Sequence, residues 1–328
     1  MYDFSSSPLL LRRSPHERPF GLFTDLLILW AIAFFVPILV QIIPGSIATV
    51  ILGINALAPL MGDAATAGGV TIDYDALRAV TEAIAESEGY RLVKLLGGAW
   101  TIAIALFVCL AIQRRSLATM GVERRGATGR YACGFLLGAL LCSATVLVLF
   151  LTRAATFEGR SDNPQILFLV FVFFGYLIQG AAEELLIHGL FMTTLARHFR
   201  WLPSVLFSAL FFALMHAVND GVTLLSLLNV FLFGVFLGLF VLRTGSVFGA
   251  AAIHAAWNYV EGQIFGCSVS GFPPYSSLFG VASDASRAVT NGGEFGPEGG
   301  LAATMILMLA LIAVLFLPSF KKTRKPTE

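Results

Sequence analysis

Between Asp162 and Arg197 the chain carries only two charged residues, and they are adjacent: Glu183 and Glu184, in Gly180-Ala181-Ala182-Glu183-Glu184-Leu185-Leu186-Ile187-His188. The residues around them are mostly apolar over a length that can cross a bilayer, since about 20 residues of helix span the hydrocarbon core. Ionisable groups at such depth are costly, so they face a bundle interior, pair with one another and mark functional sites. This stretch therefore demands a membrane helix whose neighbours supply partners for two carboxylates. Two later segments offer them: Phe212-x-x-x-His216 and His254-x-x-x-Asn258.

The rest of the chain has the same character. It is 57% hydrophobic and 12% charged, against about 25% charged in soluble domains. Its apolar runs are continuous rather than alternating, which selects helices over a β-barrel. The expected fold is all-α: a polytopic membrane helical bundle of about eight transmembrane helices, near 21–43, 93–112, 132–152, 166–196, 202–219, 222–242, 246–263 and 300–318. A shorter apolar stretch, 47–61, contains Gly53, Asn55 and Pro59 and reads as a weak span, a re-entrant piece or an interfacial helix. The loop 264–299, rich in Gly, Ser and Pro, reads as solvated, the alternative being that Phe272, Pro273, Pro274, Tyr275 and Phe279 order it against the outer face.

Basic residues set the topology through the positive-inside rule. With eight spans, Arg12, Arg13, Arg18, Arg114, Arg115, Arg124, Arg125, Arg130, Arg197, Arg200, Arg243, Lys321, Lys322, Arg324 and Lys325 fall on one side, placing both termini in the cytoplasm. Each basic cluster reads as this topology signal. Three regions follow: 1–92, an N-terminal tail, first transmembrane helix and acidic extracytoplasmic segment; 93–318, the helical core; and 319–328, a basic cytoplasmic tail. A formal net charge of +1 gives no electrostatic case for nucleic acid. The four cysteines, Cys109, Cys133, Cys142 and Cys267, have no metal-type spacing. The partner of the chain is the lipid bilayer.

Helical rise tests whether the polar residues meet. Counted from the expected cytoplasmic ends at about 1.5 Å per residue, Glu184 lies about 20 Å deep, His216 about 21 Å and His254 about 17 Å. All fall near the middle of a core about 30 Å thick. His254 and Asn258 share a helix face, as do Glu184 and His188, while Glu183 and Glu184 diverge by about 100°. The divergence implies one chemical carboxylate and one supporting one. Gly180 and Gly189 flank the pair and permit close helix approach.

Such groups suit amide hydrolysis. A buried Glu takes a proton from water, a neutral His orients that water, and a second His with an Asn carboxamide donates hydrogen bonds to the oxyanion. Alternatively one of the two Glu with His216 and His254 binds Zn²⁺, a Glu–His–His set with water being a catalytic coordination pattern. The sequence leaves both routes open, and it contains no His-Glu-x-x-His motif.

The paired glutamates, Phe212-x-x-x-His216 and His254-x-x-x-Asn258 together resemble the CPBP family of intramembrane proteases, which includes type II CAAX prenyl endopeptidases and bacteriocin-immunity-type proteins. Ser116-Leu117-Ala118-Thr119-Met120-Gly121-Val122, Ala255-Ala256-Trp257-Asn258 and Gly296-Pro297-Glu298-Gly299 add to the resemblance, which covers roughly 93–318. It implies a membrane-embedded peptidase, metallo- or glutamate-dependent. In it Glu183 is the general base or metal-site carboxylate, Glu184 its support, and His216 the activator of water. His254 and Asn258 hold the oxyanion, or His254 ligates a metal. It further implies a membrane-anchored or lipidated protein or peptide as substrate, and a multi-pass protein of a bacterial cytoplasmic membrane. The family's first motif usually reads Glu-Glu-x-x-x-Arg; His188 stands at the last position here and reads first as a conservative structural swap, the alternatives being that it retunes Glu184, supplies another ligand or marks lost activity. Two other functions compete: an inactive family member acting as a membrane scaffold or immunity protein, and a proton-coupled transporter, although no internal repeat supports the latter.

Overall fold

The structure, a computed structural model, describes residues 2–12, 14–32, 79 and 87–316. The 47–61 stretch, the second half of the first expected span, nearly all of the acidic segment and the basic tail lie outside the described residues. Eight apolar helices follow one another in the described chain. They are α1 (Leu22–Ile32), α2 (Leu92–Ile112), α3 (Ala127–Leu151), α4 (Ile166–Leu195), α5 (Trp201–Met215), α6 (Leu224–Thr244), α7 (Val247–Tyr259) and α8 (Leu301–Phe316). Four of them, α2, α3, α4 and α6, are long and apolar enough to cross a membrane, and the chain is an integral membrane protein. The expected spans five, seven and eight form shorter helices. Helix α5 stops at Met215, before polar His216 and Asn219, and α7 runs into a π-helical turn, Val260–Ile264.

Helix α7 is the axis of the bundle. Ala250, Ala252, Ile253, Ala255 and Ala256 are fully buried, because small residues let neighbouring backbones close in. On one side Gly134 and Gly138 of α3 rest on its carbonyls; a Cβ there would stand 2.3 Å from the Gly249 oxygen and 2.2 Å from the Ile253 oxygen. On the other side, a Cβ at Gly180 of α4 would stand 2.9 Å from the Ala251 oxygen and from the Ala255 nitrogen. Gly180 therefore sets the distance between the helix bearing the glutamates and the helix bearing His254 and Asn258. Gly189 is less tight, 3.2 Å from a Leu185 side-chain atom.

The loop 264–299 is not simply solvated, which corrects the first of the two sequence expectations and agrees with the second, an ordered loop. It folds back onto the bundle. Strand β1 (Ala155–Arg160) pairs antiparallel with β2 (Phe279–Ser283) in a two-stranded sheet with a bulge between Phe157 and Gly159. Cys267, Val269 and Phe295 are buried, and the Asn291 amide donates to the carbonyls of Ala154 and Asp284. The backbone turns inward at Gly296, where φ is +106° and a Cβ would meet the Ser268 oxygen at 2.1 Å. Only glycine fits that turn without strain.

At the opposite end, part of the basic cluster is internal bracing rather than a solvated topology marker. Arg115 is 4% exposed and donates to Gln113, Thr119, Thr193 and Thr194. Arg197 bridges Glu17 (2.7 Å) and buried Asp25 (3.3 Å), and His198 reaches Asp25 at 2.8 Å. These groups tie α1 to the ends of α2 and α4. The reason is physical: a buried guanidinium has five donors to satisfy, and threonine and carboxylate oxygens supply the acceptors.

Candidate active site

The two glutamates diverge as the helix geometry requires. Glu184, fully buried, holds an imidazole on each oxygen: Oε2 lies 2.6 Å from His188 Nδ1 and Oε1 lies 3.0 Å from His254 Nδ1. His188 follows one turn later, where α4 widens into a π-helical segment, Leu185–Phe191. Such bulges recur at functional sites because they re-aim side chains. The far nitrogen of His188, Nε2, stands 2.9 Å from the Gly234 carbonyl of α6. A carbonyl only accepts, so Nε2 carries a proton. A further proton is then shared between His188 Nδ1 and Glu184.

Glu183 is set apart. Gln179, one turn earlier, donates to its Oε1 at 2.7 Å. Its Oε2 is buried without a hydrogen-bond partner and stands 3.8 Å from His254 Nε2. His254 therefore lies between the carboxylates, with Nδ1 on Glu184 and Nε2 toward Glu183. Asn258, on the same face of α7, donates one amide hydrogen to Gln179 Oε1 at 3.1 Å, which ties it to the same chain.

His216 arrives from the end of α5. Its Nδ1 lies 2.8 Å from the Phe212 carbonyl, so that nitrogen donates and Nε2 keeps its lone pair in the neutral ring. The Phe212 ring packs between the histidines, its centroid 4.8 Å from that of His216 and 5.8 Å from that of His254. His216, His254 and Asn258 line one cavity of about 350 Å³, open mouth included, with Phe212 and Phe233 as apolar walls.

Four of the five expected residues, Glu183, Glu184, His254 and Asn258, are thus joined by polar contacts, and His216 joins them through the shared cavity. Glu183 approaches from behind His254 rather than lining the cavity wall. The three residues considered for a metal do not fit one as arranged: among the described residues no three His, Cys, Asp or Glu groups converge as a ligand set. Sequence reasoning missed Gln179, whose i, i+4 spacing to Glu183 was a usable signal. It also missed Ser270, and it noted Glu298 only within the Gly296–Gly299 stretch without a place in the site; both line the cavity from the 264–299 loop. They lie far away in sequence, and no periodicity points to them.

Residues 165–260 match the family model Type II CAAX prenyl endopeptidase Rce1-like. The matched segment contains all three motifs, from the paired glutamates through Asn258, and the resemblance to this family of membrane proteases holds there. No curated protein and no solved structure matches the chain.

Proposed function

We propose that this chain, similar over residues 165–260 to the type II CAAX prenyl endopeptidases, is an intramembrane endopeptidase that hydrolyses a peptide bond with Glu183, His216, His254 and Asn258. The observation that carries the reading is the position of His254: between two carboxylates, on the wall of a cavity that also holds a second histidine with a free basic nitrogen.

Water in the cavity accepts orientation from His216 Nε2, whose lone pair is fixed by the Nδ1–H bond to Phe212. Glu183 Oε2 is off the cavity wall but 3.8 Å from His254 Nε2 on it, and it takes a proton from a water held between that ring and the carboxylate as the water oxygen attacks the scissile carbonyl carbon. The carbonyl π pair moves onto oxygen. Asn258 has a second amide hydrogen to donate to that oxyanion. His254 donates from Nε2 when it carries protons on both nitrogens, a charge that Glu183 and Glu184 balance from either side. A carboxyl proton then passes to the leaving nitrogen, the C–N bond breaks, and an acid and an amine remain. Glu184 is the positioning residue: it touches no substrate and holds His254 and His188.

The apolar walls and the surrounding lipid suit a membrane-anchored or lipidated peptide, and the charge asymmetry of the loops supports both termini in the cytoplasm. The test is cleavage of a quenched peptide tethered to a lipid anchor by purified protein in proteoliposomes, with and without a chelator. Cleavage that persists in chelator supports the carboxylate as base. Cleavage that is lost in chelator and restored by Zn²⁺ overturns it.

A further inference from the structure

One carboxyl on the cavity wall has no part in the steps above. Glu298 reaches the wall shared by His216, His254 and Asn258 from the loop before α8. It is held there by three bonds. The Ser270 hydroxyl donates to Oε1, the Glu298 N–H donates to Glu261 Oε1 at 3.2 Å, and the Glu298 carbonyl accepts from Asn229 at 2.8 Å. The inward turn at Gly296 brings it in. Among the described residues no Lys or Arg pairs with it. The titratable groups that face it are Glu261 from the end of α7, His216 from α5 and His254 from α7.

Two of these bonds engage the backbone, while the carboxyl itself accepts from Ser270 and shares a hydrogen bond with the buried Glu261 carboxyl. A residue needed only to pin the loop would do so through its main chain whatever its side chain was. The carboxyl instead lines the cavity, with the Ser270 hydroxyl on it and the Glu261 carboxyl, which is not on the wall, behind it. Burial raises it above the ordinary carboxyl range, outweighing the Ser270 hydrogen bond and the two histidines, which act the other way. Glu183 is placed otherwise, behind His254 and beside Gln179. Two carboxyls in unlike surroundings divide acid and base work between them.

We propose that Glu298 is a further catalytic residue, the acid that protonates the leaving amine while Glu183 receives the proton of the attacking water. The inference rests on the peptidase reading above. In each turnover Glu183 gains one proton from water and Glu298 gives one to nitrogen as the C–N bond breaks. Cavity water and His216 then carry the proton from Glu183 to Glu298, restoring both groups with no other reactant.

The experiment is the pH–rate profile of the tethered-peptide cleavage for wild type, Glu298→Gln and Ser270→Ala. Glu298→Gln keeps the length and an oxygen for the Ser270 bond but has no proton to give. The expected result is a fall in kcat of at least about tenfold with KM little changed, and loss of the alkaline limb. Ser270→Ala removes a bond that favours the ionised carboxyl, so the alkaline limb moves to higher pH. A Glu298→Gln enzyme with wild-type kcat and an unmoved alkaline limb overturns the proposal while leaving the peptidase reading intact. Should Glu298→Gln fail to fold, the Ser270→Ala limb decides alone: an upward shift supports the proposal and an unmoved limb refutes it. A carboxyl infrared band that titrates in wild type and vanishes in Glu298→Gln is expected independently of turnover. Absence of cleavage by wild type strikes the peptidase reading and this inference with it.

Discussion

His188→Ala puts the centre of the site under the most direct strain. The imidazole it removes sits 2.6 Å from Glu184 and 2.9 Å from the Gly234 carbonyl, and both Glu184 and His188 are fully buried. Removing one member of a buried, hydrogen-bonded charge pair costs about 3–5 kcal/mol. Leaving a buried carbonyl without a donor costs about 1–3 kcal/mol. The two overlap, because the freed groups share the new space, and His254 still holds one Glu184 oxygen. The expected net loss is about 4 kcal/mol, which for a chain of this size corresponds to a fall in Tm of about 6 °C. Thermal unfolding of the detergent-purified protein, followed by tryptophan fluorescence, reads this directly. His188→Arg restores donors to both acceptors and is expected to recover at least half of the loss, although the ring now packs close to Gly238, where a Cβ would lie 3.2 Å away. A His188→Ala protein that melts within about 1 °C of wild type refutes the reasoning, since Glu184 would then need no partner on that side.

Two further substitutions test how the fold positions the site. Gly180→Val drives branched carbons into the α7 backbone only 2.9 Å from the missing Cβ, so α4 and α7 separate. The expected cost is about 1–3 kcal/mol, with a loss of cleavage larger than the loss of stability because Glu184 and His254 part. Wild-type activity in that variant contradicts the packing account. Gly296→Ala places a Cβ 2.1 Å from the Ser268 oxygen at φ +106°. Limited proteolysis is expected to open 264–299 in this variant and to spare it in wild type; equal resistance counts against the turn as the anchor of the loop.

Much of the site was legible in the sequence because helical periodicity is a strict rule. The i, i+4 spacing of His254 and Asn258, and the divergence of Glu183 from Glu184, both reappear as contacts with different partners. Rise per residue brought three separate helices to one level, and His254 indeed meets both glutamates. His188 was legible as a neighbour of Glu184 but not as a bridge to Gly234, since α6 offers only a backbone carbonyl there. Glu298 was legible only as part of a stretch that adds to the resemblance, and its place on the cavity wall was not. Its contacts with Asn229, Glu261 and Ser270 join distant segments through positive-φ turns at Ser270, Gly271, Gly292, Gly293 and Gly296. Asp25 and Arg115 were hidden by charge counting, which treats a buried hydrogen-bonded ion and a solvated one alike.

The most direct measurement of the central claim is the rate of tethered-peptide cleavage by wild type beside Glu183→Gln and His216→Ala, with folding of each checked by Tm. Wild-type cleavage that falls by about 10²–10⁴ in either variant, with Tm held, is the predicted result. Cleavage that survives Glu183→Gln at the wild-type rate contradicts the assignment of Glu183 as base, and a wild-type protein that cuts no tethered peptide contradicts the account as a whole.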